Sequence, residues 1–476
     1  MAQVLLTNTY FLHLDPKQER KMEPYPPLGT LYAAAVLREA GHSVLFHDTL
    51  FDTDTTAVCQ LISSHRDNTV VIYDDGFNYL TKMCLVNMRE ACFTMIRTAK
   101  AHGHRVIVSS SDATDHTAQY LEAGADVVII GEAEITLREL IADELPLEAV
   151  LGIAYMDGVL LRTTPKRPVL QDLDVLPQPA WDLADLTFYQ KKWRSTKGYF
   201  SLNMTTTRGC PFKCNWCAKP IYGNRYNSRS PEAVVSEMEM LIERYQVDHF
   251  WFCDDIFGLK PGWIGRFAQL ITEKNIRVRF KIQCRADLLL DENNIAHLAA
   301  AGCDEVWIGA ESGSQKILDA MDKGTTVEQI YTSTELMRKH GIKPCFFLQF
   351  GYLGETRDDI QRTLDMVRDC RPYDIGISVS YPLPGTKFYE TVRAQLTEKQ
   401  NWNDSDELLL MYKGTYSASY YKRLHRFVHK RFRTMQGWKG LTQRLGISTE
   451  YWKMPIRRVV ALPYNYLMML VYRITL

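Results

Sequence analysis

Short continuous apolar runs and longer helical periods alternate from the first residues of the chain. QVLLTNTYF (3–11) reads as a strand, PLGTLYAAAVLREAG (27–41) as a helix closed by Gly41, and SVLFHD (43–48) as a second strand. TVVIYDD (69–75), RVIVSSSD (105–112) and ADVVIIGEAE (125–134) repeat the pattern, with helix-like segments between them. Several of these runs are unbroken and β-branched, as strands buried on both faces of a parallel sheet are. Residues 1–150 therefore predict an open, doubly wound α/β domain. Residues 151–198 follow as a linker, rich in Pro, Asp and Trp from 165 onward and without sustained period.

A second periodic block covers residues 199–390. Its strand candidates are YFSLNMTTT (199–207), HFWFCDD (249–255), RVRFKIQC (277–284), DEVWIGAE (304–311), PCFFLQF (344–350) and DIGISVS (374–380). Amphipathic helices such as PEAVVSEMEMLIERY follow each of the first five, and such βα repeats imply a parallel barrel or part of one, here a partial (βα)6 barrel. Chemistry in such barrels sits at the C-terminal strand ends. Residues 391–476 read as a helical C-terminal region.

Composition adds three constraints. The chain has 476 residues, 46% hydrophobic and 24% charged, enough for two or three domains with real cores, which excludes a mainly disordered protein. Its N-terminus has no basic region ahead of the first apolar run, so a strand rather than a signal peptide is read there, and the expected location is cytoplasmic. Eleven cysteines in that setting are expected to be thiols or metal ligands. Net charge is +0, yet from Lys422 to Arg473 twelve basic side chains stand against a single acid, Glu450. Such a patch suits an anionic substrate, a membrane surface or nucleic acid, and equally a solvated helical face.

Two groups of residues carry candidate chemistry. At the predicted strand ends of the first domain lie Asn8 and Thr9, Asp75, Ser109 and Ser110, and Gly131 and Glu132. No G-x-G-x-x-G follows the first strand, which argues against a nicotinamide dinucleotide. The small polar residues suit a large, flat, amide-rimmed ligand, or they simply make tight turns. The second group is TTTRGCPFKCNWCAKP (205–220), which spaces Cys210, Cys214 and Cys217 as C-x3-C-x2-C directly after the first strand of the second block. A structural zinc site wants four closed ligands, and no second Cys or His pair lies nearby. Three thiolates suit a cubane cluster, one iron each, with the fourth iron open.

C-x3-C-x2-C at this place, with Trp216 just before the third Cys, resembles the radical S-adenosylmethionine superfamily. The resemblance implies that Cys210, Cys214 and Cys217 hold a 4Fe-4S cluster whose open iron chelates S-adenosylmethionine. Reduction, by an external donor such as flavodoxin or ferredoxin, then yields a 5'-deoxyadenosyl radical. It also implies ribose binding by Glu311 with Ser312 beside it, a Gly-rich turn near the adenine through Gly351, Gly354 and Glu355, and steering of the carboxylate or sulfonium by Arg285 with Asp287. Glu311 forming a salt bridge within the barrel, and glycines that only shape turns, are the competing readings.

YPPLGTLYAAAVLREAGHSVLFHD, GADVVIIGEAEITLRELI and LDVLPQPAWDL resemble the cobalamin-binding domain and linker of the cobalamin-dependent branch, extending the resemblance over about residues 1–390. Cobalamin is then expected at the strand ends of a Rossmann-like first domain. The D-x-H-x-x-G motif is absent, TNTYFLH standing in its place, so no protein His is expected on cobalt. The implied function is methyl transfer to an unactivated carbon of a small-molecule or natural-product substrate. Oxidative cyclisation, as in anaerobic magnesium-protoporphyrin monomethyl ester cyclase, is the alternative within the class. A non-catalytic sensor binding nucleic acid through YYKRLHRFVHKRFRTMQGW (420–438) is the alternative outside it, although no recognition motif is visible. The closing run VVALPYNYLMMLVYRITL is broken by Pro463, Asn465 and Arg473, which makes it short for a bilayer span and leaves core packing or peripheral membrane contact.

Overall fold

The computed structural model describes residues 3–66, 68–219, 221–448 and 452–474, so that Glu450 lies outside the described residues. The chain falls into two compact units. One comprises Met1–Phe212, Ala218–Phe280 and Asn401–Glu407, the other Lys213–Cys217, Lys281–Gln400 and Leu408–Leu476.

In the first unit, strands β1 (Gln3–Thr7), β2 (Ser43–His47), β3 (Thr69–Tyr73), β4 (Arg105–Ser109), β5 (Val127–Ile129), β6 (Ile153–Asp157) and β7 (Leu160–Thr163) form one sheet in the order 2-1-3-4-5-6-7. The first five are parallel and the last two antiparallel. Val4–Leu6, Val70–Ile72, Val106–Val108 and Val127–Ile129 are buried throughout, as a sheet covered on both faces requires. The helix Leu28–Glu39 buries its first ten residues, and its Ala33, Ala34 and Leu37 join the core with Val71, Ile107 and Leu137. The strand order reverses between β1 and β3, and at such a reversal the two flanking crossovers diverge and leave a crevice beyond the carboxyl ends.

Two elements lie within the segment that the sequence reads as a linker. Strands β6 and β7 are joined by Gly158 (φ +62) and Val159, with Asp157 paired to Leu160, a two-residue hairpin that adds an antiparallel edge to the sheet. The helix Leu186–Lys197 starts where the Asp185 side chain accepts from Phe188 N–H (3.2 Å) and stops at Gly198 (φ +83).

The first unit continues with β8 (Ser201–Met204), the short antiparallel pair β9 (Thr207–Arg208) and β10 (Asn227–Ser228), and β11 (His249–Phe252), parallel to β8. Strand β12 (Arg279–Cys284) begins in this unit and ends in the second. The second unit carries β13 (Cys303–Glu311), β14 (Lys343–Phe350) and β15 (Asp374–Val379), paired in parallel. These strands complete an open six-stranded sheet in the order 15-14-13-12-11-8. Helices Val327–Lys339 and Arg357–Cys370 start on capping boxes, Thr326 with Gln329 and Thr356 with Asp359, which satisfy their first N–H groups reciprocally. The second unit ends in helices Ala418–Arg444, Ile456–Val460 and Leu462–Ile474. Among the described residues no helix is long and apolar enough to cross a membrane.

Candidate functional site

At the strand ends of the first sheet, the polar side chains expected to face a ligand are buried and hold one another. Asn8 Oδ1 accepts from Thr49 N–H (2.9 Å) and from the Thr49 hydroxyl (2.7 Å). Thr9 donates from its amide and its hydroxyl to Asp74 Oδ1, 2.7 Å each, and Asp75 Oδ1 accepts from Gly29 and Phe77 N–H, 3.0 Å each. Burial pushes Asp74 and Asp75 up to about 6, against the pull of these donors on the charged form. Ser109 is buried at the end of β4, and the Ser110 hydroxyl accepts from Ala113 N–H at 2.8 Å. Gly131 has φ +87, and a Cβ there would lie 3.6 Å from the Ile221 carbonyl. Glu132 accepts from Leu170 N–H (2.6 Å). Two small clefts open here, the first lined by Thr9, Asp74, Thr81, Arg89 and Asp112, the second by Asn8, Asp75, Asn78 and Thr81. Among the described residues the buried Ser111 hydroxyl and Glu134 Oε2 find no hydrogen-bond partner.

The approach to Cys210 is built in the same unit. Asp254, buried just beyond β11, accepts at Oδ1 from Thr206 N–H (2.7 Å), Thr207 N–H (2.9 Å) and the Thr205 hydroxyl (2.9 Å). Burial pushes this carboxyl up to about 6, with the Thr206 hydroxyl and amide opposing. The next residue, Arg208, donates to Glu132 Oε1 through Nη1 and to Glu134 Oε1 (2.7 Å) through Nη2. The rings of Tyr222, Tyr32 and Phe77 stand 5.2, 5.4 and 5.4 Å from its guanidinium carbon. Burial alone would lower the Arg208 pKa, but Glu134 and the other anionic groups outweigh it and hold the charge. Gly209 then turns at φ +79 with the position of a Cβ only 2.4 Å from the Arg225 carbonyl, which leaves no room for a side chain. Cys210 is buried.

Cys214 and Cys217 belong to the second unit and are half-buried. Cys217 N–H donates to Cys214 O (3.2 Å), and Asn215 between them anchors the turn. Its amide N–H donates to Met321 O (3.0 Å) and its Nδ2 to Ala320 O (2.7 Å), while Oδ1 accepts from the Tyr352 hydroxyl (2.9 Å). The Trp216 indole N–H is buried and has no partner among the described residues. Arg285 forks onto Asp287 at 3.0 and 3.1 Å and brings Nη1 to 3.9 Å from Cys214 Sγ.

Glu311 closes β13 at φ +54, in a register break between Gly309 and Glu311, with its Oε1 2.9 Å from Lys323 Nζ. The salt bridge within the fold is therefore present. Both side chains are buried, and burial would lower the Lys323 pKa, but Glu311 and then Cys214 raise it. A Cβ at Gly309 would fall 2.6 Å from Lys323 Nζ, so the pair needs glycine there. Ser312 is engaged with Thr363 (3.1 Å) and Ser314 N–H (3.1 Å). Gly351 (φ +82) donates its N–H to Glu355 Oε2 (2.8 Å) and accepts from the Tyr412 hydroxyl, and Gly354 (φ +78) accepts from Lys316 (3.0 Å). Glu355 is fully buried with Oε1 unpartnered, and burial pushes it up to about 8.

Arg208, Asp254, Asn215 and Lys323 were not singled out from the sequence. Arg208 and Asn215 do lie inside the quoted cysteine segment, so adjacency to the thiols was the available signal. Lys323 and Asp254 carry none, since each acquires its meaning from a partner elsewhere in the chain. Among the described residues no three His, Cys, Asp or Glu side chains close around a common point as a single metal ion requires.

Residues 204–367 match the model of the Radical SAM superfamily and form a domain of that superfamily. Over 387 residues the chain is 27% identical to an uncharacterized methyltransferase of Pyrococcus horikoshii, covering 79% of this chain and 81% of the relative. It is 28% identical over 282 residues to the anaerobic magnesium-protoporphyrin IX monomethyl ester cyclase of Rubrivivax gelatinosus, covering 56% of this chain and 48% of the cyclase. Its fold matches that of the cobalamin-dependent S-adenosylmethionine radical enzyme OxsB with aqua-cobalamin bound, with TM-score 0.76, 17% identity, and coverage of 99% of this chain and 72% of OxsB.

Arg208→Met is expected to destabilise the first unit by about 3–5 kcal/mol, because it strands two buried carboxylates. The check is urea unfolding, with Arg208→Lys intermediate, since it keeps the charge but loses the fork. Glu355 gives a pH prediction. Its folded pKa of about 8 lies above the ordinary carboxylate range, so the folded state holds an extra proton between those limits and stability from this group falls as pH rises through them. Glu355→Gln, always neutral, should melt close to the parent near about pH 5 and several degrees above it by about pH 8.5.

Proposed function

We propose that the protein is a cobalamin-dependent radical S-adenosylmethionine enzyme that methylates an unactivated carbon of a small molecule. One observation carries the reading. The chain joins a radical SAM domain containing the three-cysteine loop to a doubly wound sheet whose switch-point crevice is lined by small polar groups. Cys210, Cys214 and Cys217 would hold the 4Fe-4S cluster, and three thiolates rather than four leave one iron for the methionyl moiety. Glu311, Ser312, Arg285, Gly351, Gly354 and Glu355 would take S-adenosylmethionine. The residues suit it. Glu355 keeps a buried carboxylate oxygen unpartnered, and Glu311 is held in a strained conformation of the kind that persists where surrounding structure demands it. Asn8, Thr9, Asp75, Ser109, Ser110, Gly131 and Glu132 would border cobalamin, and the unpartnered Ser111 hydroxyl there suits its amide rim.

When bound, the cluster and cobalamin supply the electron that cleaves S-adenosylmethionine and the carrier for the methyl group. The chain's own residues do the rest. Arg285 and Lys323 put positive charge beside Cys214, where it would offset the negative charge of the bound cluster. Asn215 fixes the Cys214–Cys217 turn through its hydrogen bonds to Met321, Ala320, Asp322, Tyr352 and the Phe388 amide (2.9 Å). Lys323 restrains Glu311, so that this carboxylate meets a ribose diol in one orientation. The same reading includes an external one-electron donor such as flavodoxin or ferredoxin, and peripheral membrane contact by the C-terminal helices.

The cyclase relative favours a second reading with the same cofactors and a cyclisation outcome, but the chain spans less than half of that protein. Nucleoside products separate the two. After anaerobic reconstitution with iron, sulfide and cobalamin, dithionite and S-adenosylmethionine should yield S-adenosylhomocysteine together with 5'-deoxyadenosine; deoxyadenosine alone would favour cyclisation.

Cys210→Ala, Cys214→Ala and Cys217→Ala are each expected to abolish S-adenosylmethionine cleavage, whereas Cys59→Ala and Cys370→Ala keep the cluster. A loop variant retaining full iron and cleavage would overturn the assignment. The purified protein should bind about one cobalamin with an absorption spectrum lacking an imidazole on cobalt. Thr81→Trp, a half-buried position lining both clefts, should block that uptake and leave the iron content unchanged.

A further inference from the structure

The C-terminal helices of the second unit present two opposite faces. Helices Ile456–Val460 and Leu462–Ile474 run on almost without a break, because Ala461 N–H donates to Arg457 O (3.1 Å) and Asn465 N–H to Ala461 O (3.0 Å), which preserves the helical phase across the junction. One face packs on helix Ala418–Arg444. Gly437 and Gly440 lie under it so closely that a Cβ would come within 2.8 Å of Arg458 O and of Val459 Cγ2, and Leu462 and Asn465 are buried. At 100° per residue, the opposite face carries Ile456, Val460, Tyr464, Leu467, Val471 and Ile474 within an arc of about 80°. All six are exposed, Val460 to 75% and Ile474 to 85%.

A stripe of this length, apolar and open, is unusual on a folded protein and marks a docking surface. Its surroundings select the partner. The described residues of helices Ala418–Arg444, Ile456–Val460 and Leu462–Ile474 contain no acidic side chain. Exposed Arg457 follows Ile456 directly on the helix, and Lys430 Nζ lies 4.2 Å from the Tyr464 ring centroid. A second copy of the same face would set these cations against one another. An apolar strip with cations at its border complements anionic headgroups over acyl chains, and helices of this kind lie in the interface plane rather than across it.

Resting on the reading that these helices contact a membrane, we infer that the Ile456–Ile474 stripe inserts into the surface of an anionic lipid bilayer. The test is co-sedimentation of the full chain with vesicles of phosphatidylcholine alone or with phosphatidylglycerol at one third. Binding is expected only with the anionic lipid. The double substitution Leu467→Glu and Val471→Glu, at exposed positions, is expected to weaken it at least tenfold, while circular dichroism and cluster content stay at parental values. Binding that salt removes but the double variant retains would overturn the stripe and keep a purely electrostatic membrane contact. No binding to either vesicle would overturn both. A change from dimer to monomer in the double variant, measured by light scattering without lipid, would assign the stripe to self-association and also overturn the inference.

Discussion

Arg208 carries a charge at 3% side-chain exposure, and everything about the approach to the cysteine loop follows from the cost of keeping it there. An isolated guanidinium in that position would lose its hydration with nothing in return. Glu132 and Glu134, which follow the carboxyl end of the first sheet's fifth strand, take one nitrogen each, and three aromatic rings cover the rest. Because a planar fork can meet two carboxylates in few ways, the backbone at 207–208 has little freedom, and Gly209 must turn at once in a space that admits no side chain. Buried ion pairs contribute little net stability, so the gain here is geometric: the strand end that carries Glu132 and the chain two residues before Cys210 are fixed by one group.

The second unit solves a similar problem with Lys323 and Glu311. Here the strain is explicit, since a glutamate sits at φ +54 within a register break and a glycine two residues earlier makes room for the ammonium. Left-handed backbone at a non-glycine residue costs on the order of 1–3 kcal/mol, and it persists only where neighbours impose it. The pair also places a positive charge near Cys214, where Arg285 adds another. Cys345 and Cys303 are instead buried among strands, and burial raises their thiol pKa.

Alternating apolar runs made both sheets readable, because a strand buried on two faces needs continuous β-branched residues whatever it pairs with. The three thiols were readable because their spacing is local. The hairpin at Gly158 was passed over although a glycine between two short apolar runs marks it, and the helix Leu186–Lys197 was masked by the prolines before it and by a sequence two thirds of whose positions are polar. Lys323, Asp254 and Arg208 stay illegible for a stricter reason. Their partners lie 12, 49 and 76 residues away in sequence for Glu311, Thr205 and Glu132, and no local pattern announces a pairing of that kind.

The expected site residues divide by what they already hold. Asn8, Thr9, Asp75, Ser110 and Ser312 spend their donors and acceptors on neighbouring backbone and side chains, so they shape the strand ends and leave those groups engaged. Ser111 Oγ and Glu134 Oε2 in the first unit, and Glu355 Oε1 and Trp216 Nε1 in the second, are among the buried polar atoms that find no partner among the described residues. Each costs about 1–3 kcal/mol if nothing meets it, a large penalty for a fold whose net stability is small. These four lie beside the strand ends and the cysteine loop, where sheet order and thiol spacing independently lead one to expect a ligand, whereas others such as His42 Nδ1 and Tyr245 Oη lie on helix ends away from them. A buried unpartnered atom therefore points to recognition only where a second, independent feature of the fold coincides with it.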